Sequence, residues 1–312
     1  MNLFITTFES VAVLLGIGII GFWIIRRKMI PRNILGLLSP IALEIALPSL
    51  IFINIIQDFE PNSYQNWWQL PIWWLFFTII AAGLTLIFMF ISKKENRREF
   101  AISLFYQNGI FFPLAIIAGM FGKDSYLLVF LFIFTIFYPA FFFSTSHIFF
   151  GKKFNLTTNL KKIIHPVIIT TTIAILIKIG GLHVYVPNFI FEIFALIGGM
   201  TIPLIMIILG GNIYIDFNKK GKLHIIEMFK FVSVKNIIFP LIFIGILFVI
   251  RPEYDIALIL LLQASVPPVT AVPLMVEKYG GNRYIVNQFI VASFILSLLT
   301  IPIMVLLFDI FF

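Results

Sequence analysis

Two short stretches of this chain hold the polar side chains best suited to chemistry. In the first, Gln107, Asn108 and Gly109 stand shortly before Pro113. Proline lacks an N–H and clashes with the carbonyl four residues earlier, so Pro113 kinks or breaks a helix and frees the carbonyl of Gly109. Amide donors beside the positive end of a new half-helix suit an anionic group such as a carboxylate. The first stretch therefore predicts binding rather than catalysis.

The second stretch lies near the C-terminal end of the chain and groups polar residues around prolines: Gln263, Ser265, Pro267, Pro268 and Thr270. The consecutive prolines free the carbonyls of Gln263 and Ala264, and Pro273 frees that of Val269. In lipid a freed carbonyl must find a partner or face a cavity. Prolines that only kink packed helices are the alternative, but matched breaks beside amides in both stretches favour one shared binding site.

One carboxylate, Glu44, lies near the middle of an apolar segment, four residues before Pro48. A charge at mid-membrane is costly and by default indicates function. Glu44 is therefore a candidate for coupling, either by carrying a proton or by helping to hold a cation. The alternative is a neutral, hydrogen-bonded acid that stabilises a proline kink.

Motifs typical of catalytic and metal sites are missing from the sequence. There is no cysteine, and the four histidines sit near the ends of apolar segments. No metal-binding helix motif, phosphate loop or Ser/His/Asp arrangement occurs. We therefore expect no metal, no cofactor and no enzyme activity, while H+ and Na+ both stay open as coupling ions.

The composition places both stretches in a lipid bilayer. Apolar residues make up 61% and charged residues 12% of the chain, against about half and about a quarter in soluble domains. A spanning helix needs roughly 20 apolar residues. Ten segments meet this requirement approximately and leave no soluble domain: 2–25, 33–56, 70–92, 99–121, 125–149, 164–181, 187–213, 223–250, 254–277 and 284–311.

The basic residues alternate with these segments. All lie after an odd-numbered segment or early in the next, as Lys230 and Lys235 do in the eighth, except Lys123, Lys178 and Arg251. The positive-inside rule then puts these loops in the cytoplasm and both termini outside. The clusters are orientation signals first, with acidic membrane lipids as secondary partners. The net charge of +8 therefore does not indicate nucleic acid binding.

Prolines recur at matched positions in the two halves of the chain, 1–150 and 151–312, which the loop 150–163 joins. The pairs are Pro31 and Pro187, Pro48 and Pro203, Pro113 and Pro273, and Pro139 and Pro302. Each half holds five segments, so the second enters the membrane in the opposite orientation, as alternating access requires. We predict an all-α integral membrane protein with ten transmembrane helices in an inverted 5+5 repeat, whose fourth and ninth helices are broken.

Motifs along nearly the whole chain carry a resemblance to a known family. They are Arg26-Arg27-Lys28, Ala46-Leu47-Pro48-Ser49-Leu50-Ile51-Phe52, Gln107-Asn108-Gly109 with Pro113, Ile202-Pro203-Leu204 through Leu209-Gly210-Gly211, Ser265-Val266-Pro267-Pro268, Glu277-Lys278-Tyr279-Gly280-Gly281-Asn282, and Ser297-Leu298-Leu299-Thr300-Ile301-Pro302. Together they resemble the auxin efflux carrier family of membrane transporters, including its bacterial and archaeal members.

The resemblance implies scaffold and transport parts, a site where the fourth and ninth helices cross, and organic anions as substrates, such as auxin-like indole acids or dicarboxylates. It also favours a homodimer. Asn108 matches the family's asparagine in the fourth helix, and Pro267 and Pro268 match its prolines in the ninth. Ala271 stands where the family often has a second asparagine. Either Thr270 substitutes for it, or the fourth helix mainly holds the carboxylate.

The sequence therefore predicts a secondary active transporter of small organic anions. The absence of an evident targeting segment favours a prokaryotic plasma membrane. A sodium-coupled symporter of a bile-acid-like or other organic solute, and a passive channel or facilitator, are alternatives on the same fold. An intramembrane enzyme acting on a lipid would need clustered acids or histidines near one interface. A receptor would bind its ligand without moving it.

Overall fold

The computed structural model describes residues 3–31, 33–151, 165–217 and 223–312, and its regular structure there is helical. The main helices, numbered in chain order, are α1 Leu3–Arg26, α2 Ile34–Asp58, α3 Trp67–Ile91, α4 Arg97–Phe105, α5 Phe111–Phe121, α6 Tyr126–Phe150, α7 Pro166–Ile179, α8 Asn188–Ile215, α9 Ile225–Ile250, α10 Tyr254–Ser265, α11 Val272–Lys278 and α12 Arg283–Phe311.

Seven helices in the described part of the chain are long and apolar enough to cross a membrane. These are α1, α2, α3, α6, α8, α9 and α12, whereas α5, α7 and α10 are apolar but shorter. The predicted segments 99–121 and 254–277 are each divided into two helices, α4 with α5 and α10 with α11. An all-helical membrane protein is thus confirmed, and the arrangement of ten spans as an inverted repeat stays a prediction.

The prolines act in two different ways. Pro113 and Pro273 stand in the first turns of α5 and α11, where a missing N–H costs nothing. Pro48 and Pro240 instead follow π-helical segments inside α2 and α9, Ile41–Ala46 and Ser233–Ile238. A π segment absorbs the lost i→i−4 bond without ending the helix. Of these four prolines, only the first pair therefore stands at helix interruptions.

The interior of the bundle is built around α10. All its residues from Ile256 to Ser265 are buried, and so is the first half of α6, Leu127–Phe134. Helices α1 and α2 pack against α8, and Gly210 of α8 makes this approach close. A Cβ there would lie 1.7 Å from the carbonyl oxygen of Gly18 in α1. Small residues at such contacts are typical of membrane helices.

The placement of Lys235 differs from the sequence prediction. It was expected near the membrane interface as an orientation signal, but it lies in the π segment of α9 with only 1% of its surface exposed. Lys230, on the same helix, is half-exposed and pairs with Glu227. The sequence could not separate the two because a π segment changes which helix face a residue occupies. The predicted linker 150–163, beyond its first two residues, and the basic residues Arg32, Lys152, Lys153, Lys161, Lys162, Lys219, Lys220 and Lys222 lie outside the described residues.

Candidate functional site

The two helix interruptions lie side by side and pair through their backbones. The Asn108 N–H donates to the carbonyl of Pro267 at 2.7 Å, and the Val269 N–H donates to the carbonyl of Tyr106 at 2.9 Å. Gln107 and Pro268 thereby form a single antiparallel bridge. The pairing satisfies backbone groups that have no water available to them inside a bundle. We call residues 106–110 and 266–271 the first and second interruptions.

The sequence explains why Asn108 is the donor and Pro267 the acceptor. Pro267 and Pro268 have no N–H, so this part of the second interruption offers only carbonyls. The first interruption supplies the missing donor from Asn108. Tyr106 and Val266 are both extended, with ψ of 101° and 152°, which allows the short antiparallel contact. Two helix-breaking sequences thus complete each other.

Gln263 locks the two interruptions together. Its Nε2 donates to the carbonyl of Gly109 at 2.6 Å, and its Oε1 accepts from Gln107 Nε2 at 3.4 Å. The Gly109 carbonyl is the one that Pro113 leaves without a helical partner. A Cβ at Gly109 would lie 2.1 Å from Gln263 Oε1. A larger residue at this position would therefore displace the end of the Gln263 side chain and break its hydrogen bonds.

Helix α6 supports the first interruption through two hydrogen bonds of tyrosine hydroxyls. The Tyr138 hydroxyl donates to the Gln107 carbonyl in a short hydrogen bond, and the Tyr106 hydroxyl pairs with Thr145 Oγ1 at 2.7 Å. Sequence reasoning missed Tyr138 and Thr145. The available signal was a tyrosine next to Pro139 in an apolar span, since a buried tyrosine hydroxyl needs a partner.

The side chain of Asn108 is the open group at this pairing. It is 1% exposed, yet neither Oδ1 nor Nδ2 has a hydrogen-bond partner. A buried amide without a partner costs roughly 1–3 kcal/mol. Its backbone is meanwhile fixed by the bond to Pro267. Asn108 thus presents a free donor and a free acceptor on a rigid support, which is the chemistry a polar ligand needs.

The remaining predicted residues at or beside the second interruption have fewer polar groups free to bind a ligand. Ser265 is buried, but its hydroxyl donates to the Leu261 carbonyl of its own helix at 2.8 Å. Thr270 and Ala271 are half-buried. The structure thus brings together Gln107, Asn108, Gly109, Gln263, Pro267 and Pro268 directly, and places Ser265, Thr270 and Pro113 next to them in sequence.

The structure does not bring Glu44 to this pairing. Its side chain is exposed, in the π segment of α2, and its charge acts on His165 at the start of α7. No hydrogen bond or ion pair links it to the interruptions within the described residues. Its role in coupling stays a prediction. No group of three or more His, Asp or Glu side chains that could hold a metal ion occurs in the described ranges.

An apolar cavity of about 350 Å³ opens between α1, α2, α5 and α8. Leu114 lines it and follows Pro113, so the cavity begins close to the first interruption. Ser10 and Lys123 are its polar lining residues, among leucines, alanines and glycines. Sequence reasoning missed this cavity because its lining looks like ordinary membrane helix. The position of Lys123 outside the main charge pattern was the available signal.

Comparison with known proteins agrees with this architecture. A family described as membrane transport protein matches the chain in two segments, residues 6–154 and 150–305. A search of curated proteins finds no match. The family match confirms the resemblance to the auxin efflux carriers. With its apolar helices, the chain is a multi-pass membrane transporter and belongs to the membrane transport protein family.

Proposed function

We propose that this protein is a secondary active transporter of small organic anions, and that the anion binds where the two interruptions pair. The observation that carries the proposal is the Asn108 carboxamide, buried without a partner between two broken helices. A polar group left open in a membrane interior is costly. Binding of a substrate would satisfy it, and conformational change would then expose the site to either side.

The recognition chemistry follows from the geometry of the first interruption. Nδ2 of Asn108 donates to a carboxylate oxygen. Helix α5 begins close by at Phe111, and its N-terminal end adds a partial positive charge. Gln107 and Gln263 fix the shape of the site through their mutual hydrogen bond. The apolar cavity next to Leu114 favours an anion with an apolar body over a compact dicarboxylate.

The proposed mechanism is alternating access of an inverted repeat. In this proposal α4 with α5 forms the fourth span, α10 with α11 forms the ninth, and the two pairs cross at the interruptions. The two family matches meet at residues 150–154, which supports a repeat boundary near residue 150. Five spans per repeat would invert the second half and give equivalent outward and inward states. Both termini would lie outside a plasma membrane.

Uptake of radiolabelled carboxylates into proteoliposomes tests this proposal. The panel includes indole-3-acetate and malonate, each with and without an imposed pH gradient and a sodium gradient. We expect saturable uptake of at least one carboxylate, preferably the apolar one, that rises with a gradient. Flux without saturation would identify a channel. Binding without flux would identify a receptor, and neither binding nor flux of any carboxylate would overturn the proposed substrate class.

A further inference from the structure

Lys235 is a buried cation that takes no part in the pairing of the two interruptions. Its side chain is 1% exposed, and its Nζ donates to the Ala264 carbonyl at 3.5 Å and lies 5.2 Å from the ring centre of Phe239. No ion pair of Lys235 occurs within the described ranges. An ammonium has three donors, and a buried charge without a counter-ion is strongly unfavourable. The site around Lys235 is therefore electrostatically incomplete.

The position of Lys235 relative to the interruptions is specific. Ala264 lies next to Gln263, and Pro268 removes the helical partner of the Ala264 carbonyl. This carbonyl belongs to the last turn of α10. The C-terminal end of a helix carries a partial negative charge. In transporters with broken helices, such carbonyl ends are where coupling cations bind. Lys235 therefore places a positive charge at the usual position of a bound cation.

The acids on the helices around Lys235 have partners elsewhere, including Glu99 of α4, which packs against α9 through Phe100 and Phe231 and accepts from the Asn282 N–H. On α9, Glu227 pairs with Ser92 and Lys230. On α10, Asp255 accepts from Tyr126, and on α12, Arg283 pairs with Glu277 and Asp309 accepts from Tyr254.

The side chains nearest in sequence and packing are neutral. Asn236 bonds Ser293 of α12, and Ser265 bonds its own helix. Among the residues that the structure describes, no acid is thus paired with the ammonium.

We propose that Lys235 is the built-in counter-cation of the transport site: its ammonium, held at the carbonyl end of α10, compensates the charge of the bound organic anion and takes the place of a separately bound Na+. This proposal rests on the proposed function. Asn108 supplies directional hydrogen bonds to the anion from the first interruption, whereas Lys235 supplies charge from behind the second. Transport then needs no sodium.

Carboxylate binding to purified Lys235→Met, Lys235→Arg and wild-type protein tests the proposal, using the carboxylate found by the uptake panel and its uncharged amide analogue. Methionine keeps the length of the side chain and removes its charge. We expect carboxylate affinity to fall about 10- to 100-fold in Lys235→Met. Binding of the amide analogue should not change, and Lys235→Arg should keep most of the affinity. Lys230→Met, which removes a partly exposed lysine of the same helix, is the matched control and should bind as wild type does.

The outcomes separate the two proposals. If wild type binds no carboxylate, the proposed function fails. If wild type binds and a folded Lys235→Met binds equally well, only the role of Lys235 fails. Should Lys235→Met not fold, uptake by wild type decides: equal uptake in sodium and in choline buffer is expected, and a requirement for Na+ would overturn the proposal.

Discussion

The two helix interruptions differ in what they offer a ligand. The first leaves the whole carboxamide of Asn108 open and takes its support from Gln263 and Tyr138. The second has two prolines without N–H donors, and its Pro267 carbonyl already accepts from Asn108. The buried hydroxyl of Ser265, directly before it, is used within its own helix. Their backbones pair with each other, yet their side chains are not equivalent. The difference indicates that the first interruption recognises the ligand, while the second provides backbone acceptors and shape.

The largest effect is expected where the two interruptions touch, at Gly109. Gly109→Ala puts a Cβ 2.1 Å from Gln263 Oε1, and both residues are buried. The end of the Gln263 side chain must move and give up its hydrogen bonds to Gly109 and Gln107, so we expect a loss of about 2–4 kcal/mol of stability and a loss of transport. Thermal unfolding in detergent measures this. Gly83→Ala in α3, where a Cβ would meet nothing within 4 Å, is the control and should unfold as wild type does. Equal stability of both variants would contradict the role of Gln263 in joining the two interruptions.

A large effect on binding, without one on stability, is expected at Asn108. Asn108→Ala removes an amide that bonds nothing in the protein, so the unliganded protein should unfold at or above the wild-type temperature. Carboxylate affinity should fall about 10- to 100-fold because a charge-assisted hydrogen bond is lost. Ligand-dependent thermal shift gives both values at once. Unchanged affinity would remove Asn108 from the site.

A moderate gain in ligand affinity is expected when the second interruption receives an amide of its own. Ala271→Asn adds a carboxamide to the second interruption at a half-buried position. If the ligand lies between the interruptions, we expect affinity to rise by up to about 10-fold. The same binding assay measures it, with Ala271→Leu as a size control. A rise with leucine as well would mean that apolar contact, and not the amide, is responsible.

The smallest effect is expected at Ser265. Its hydroxyl donates to Leu261 of the same helix, so Ser265→Ala removes only a local bond. We expect a loss of about 0.5–1 kcal/mol of stability and an unchanged carboxylate affinity. Thermal unfolding and binding on one preparation measure both quantities. A loss of affinity comparable with that of Asn108→Ala would make the second interruption a ligand-binding element and end the proposed asymmetry.

Much of the fold was predictable because its causes are local. Apolar composition indicates membrane helices. The breaks before Pro113 and Pro273 occur beside Asn108-Gly109 and a double proline, which are poor helix formers. Pro48 does not break its helix because Ile-Ala-Leu-Glu-Ile-Ala-Leu precedes it, and a π segment absorbs the defect. The presence of a proline alone does not tell whether a helix is interrupted or continues through a π segment.

The orientation of individual side chains was not predictable in the same way. Glu44 and Lys235 each lie in a π segment before a proline, and the structure exposes the first and buries the second. Which face is buried depends on the helices packed around it, and a π turn shifts that face. The bond from Gln263 to Gly109 likewise joins residues far apart in sequence. Sequence reasoning identified Gln263 and Gly109 as site residues but not the contact between them.

The most direct test is a cryo-EM structure with the carboxylate that the uptake panel identifies. We predict ligand density between the interruptions, with a carboxylate oxygen about 3 Å from Asn108 Nδ2 and the apolar body of the ligand towards Leu114. Density confined to another part of the molecule, with the Asn108 side chain still without a partner, would contradict it.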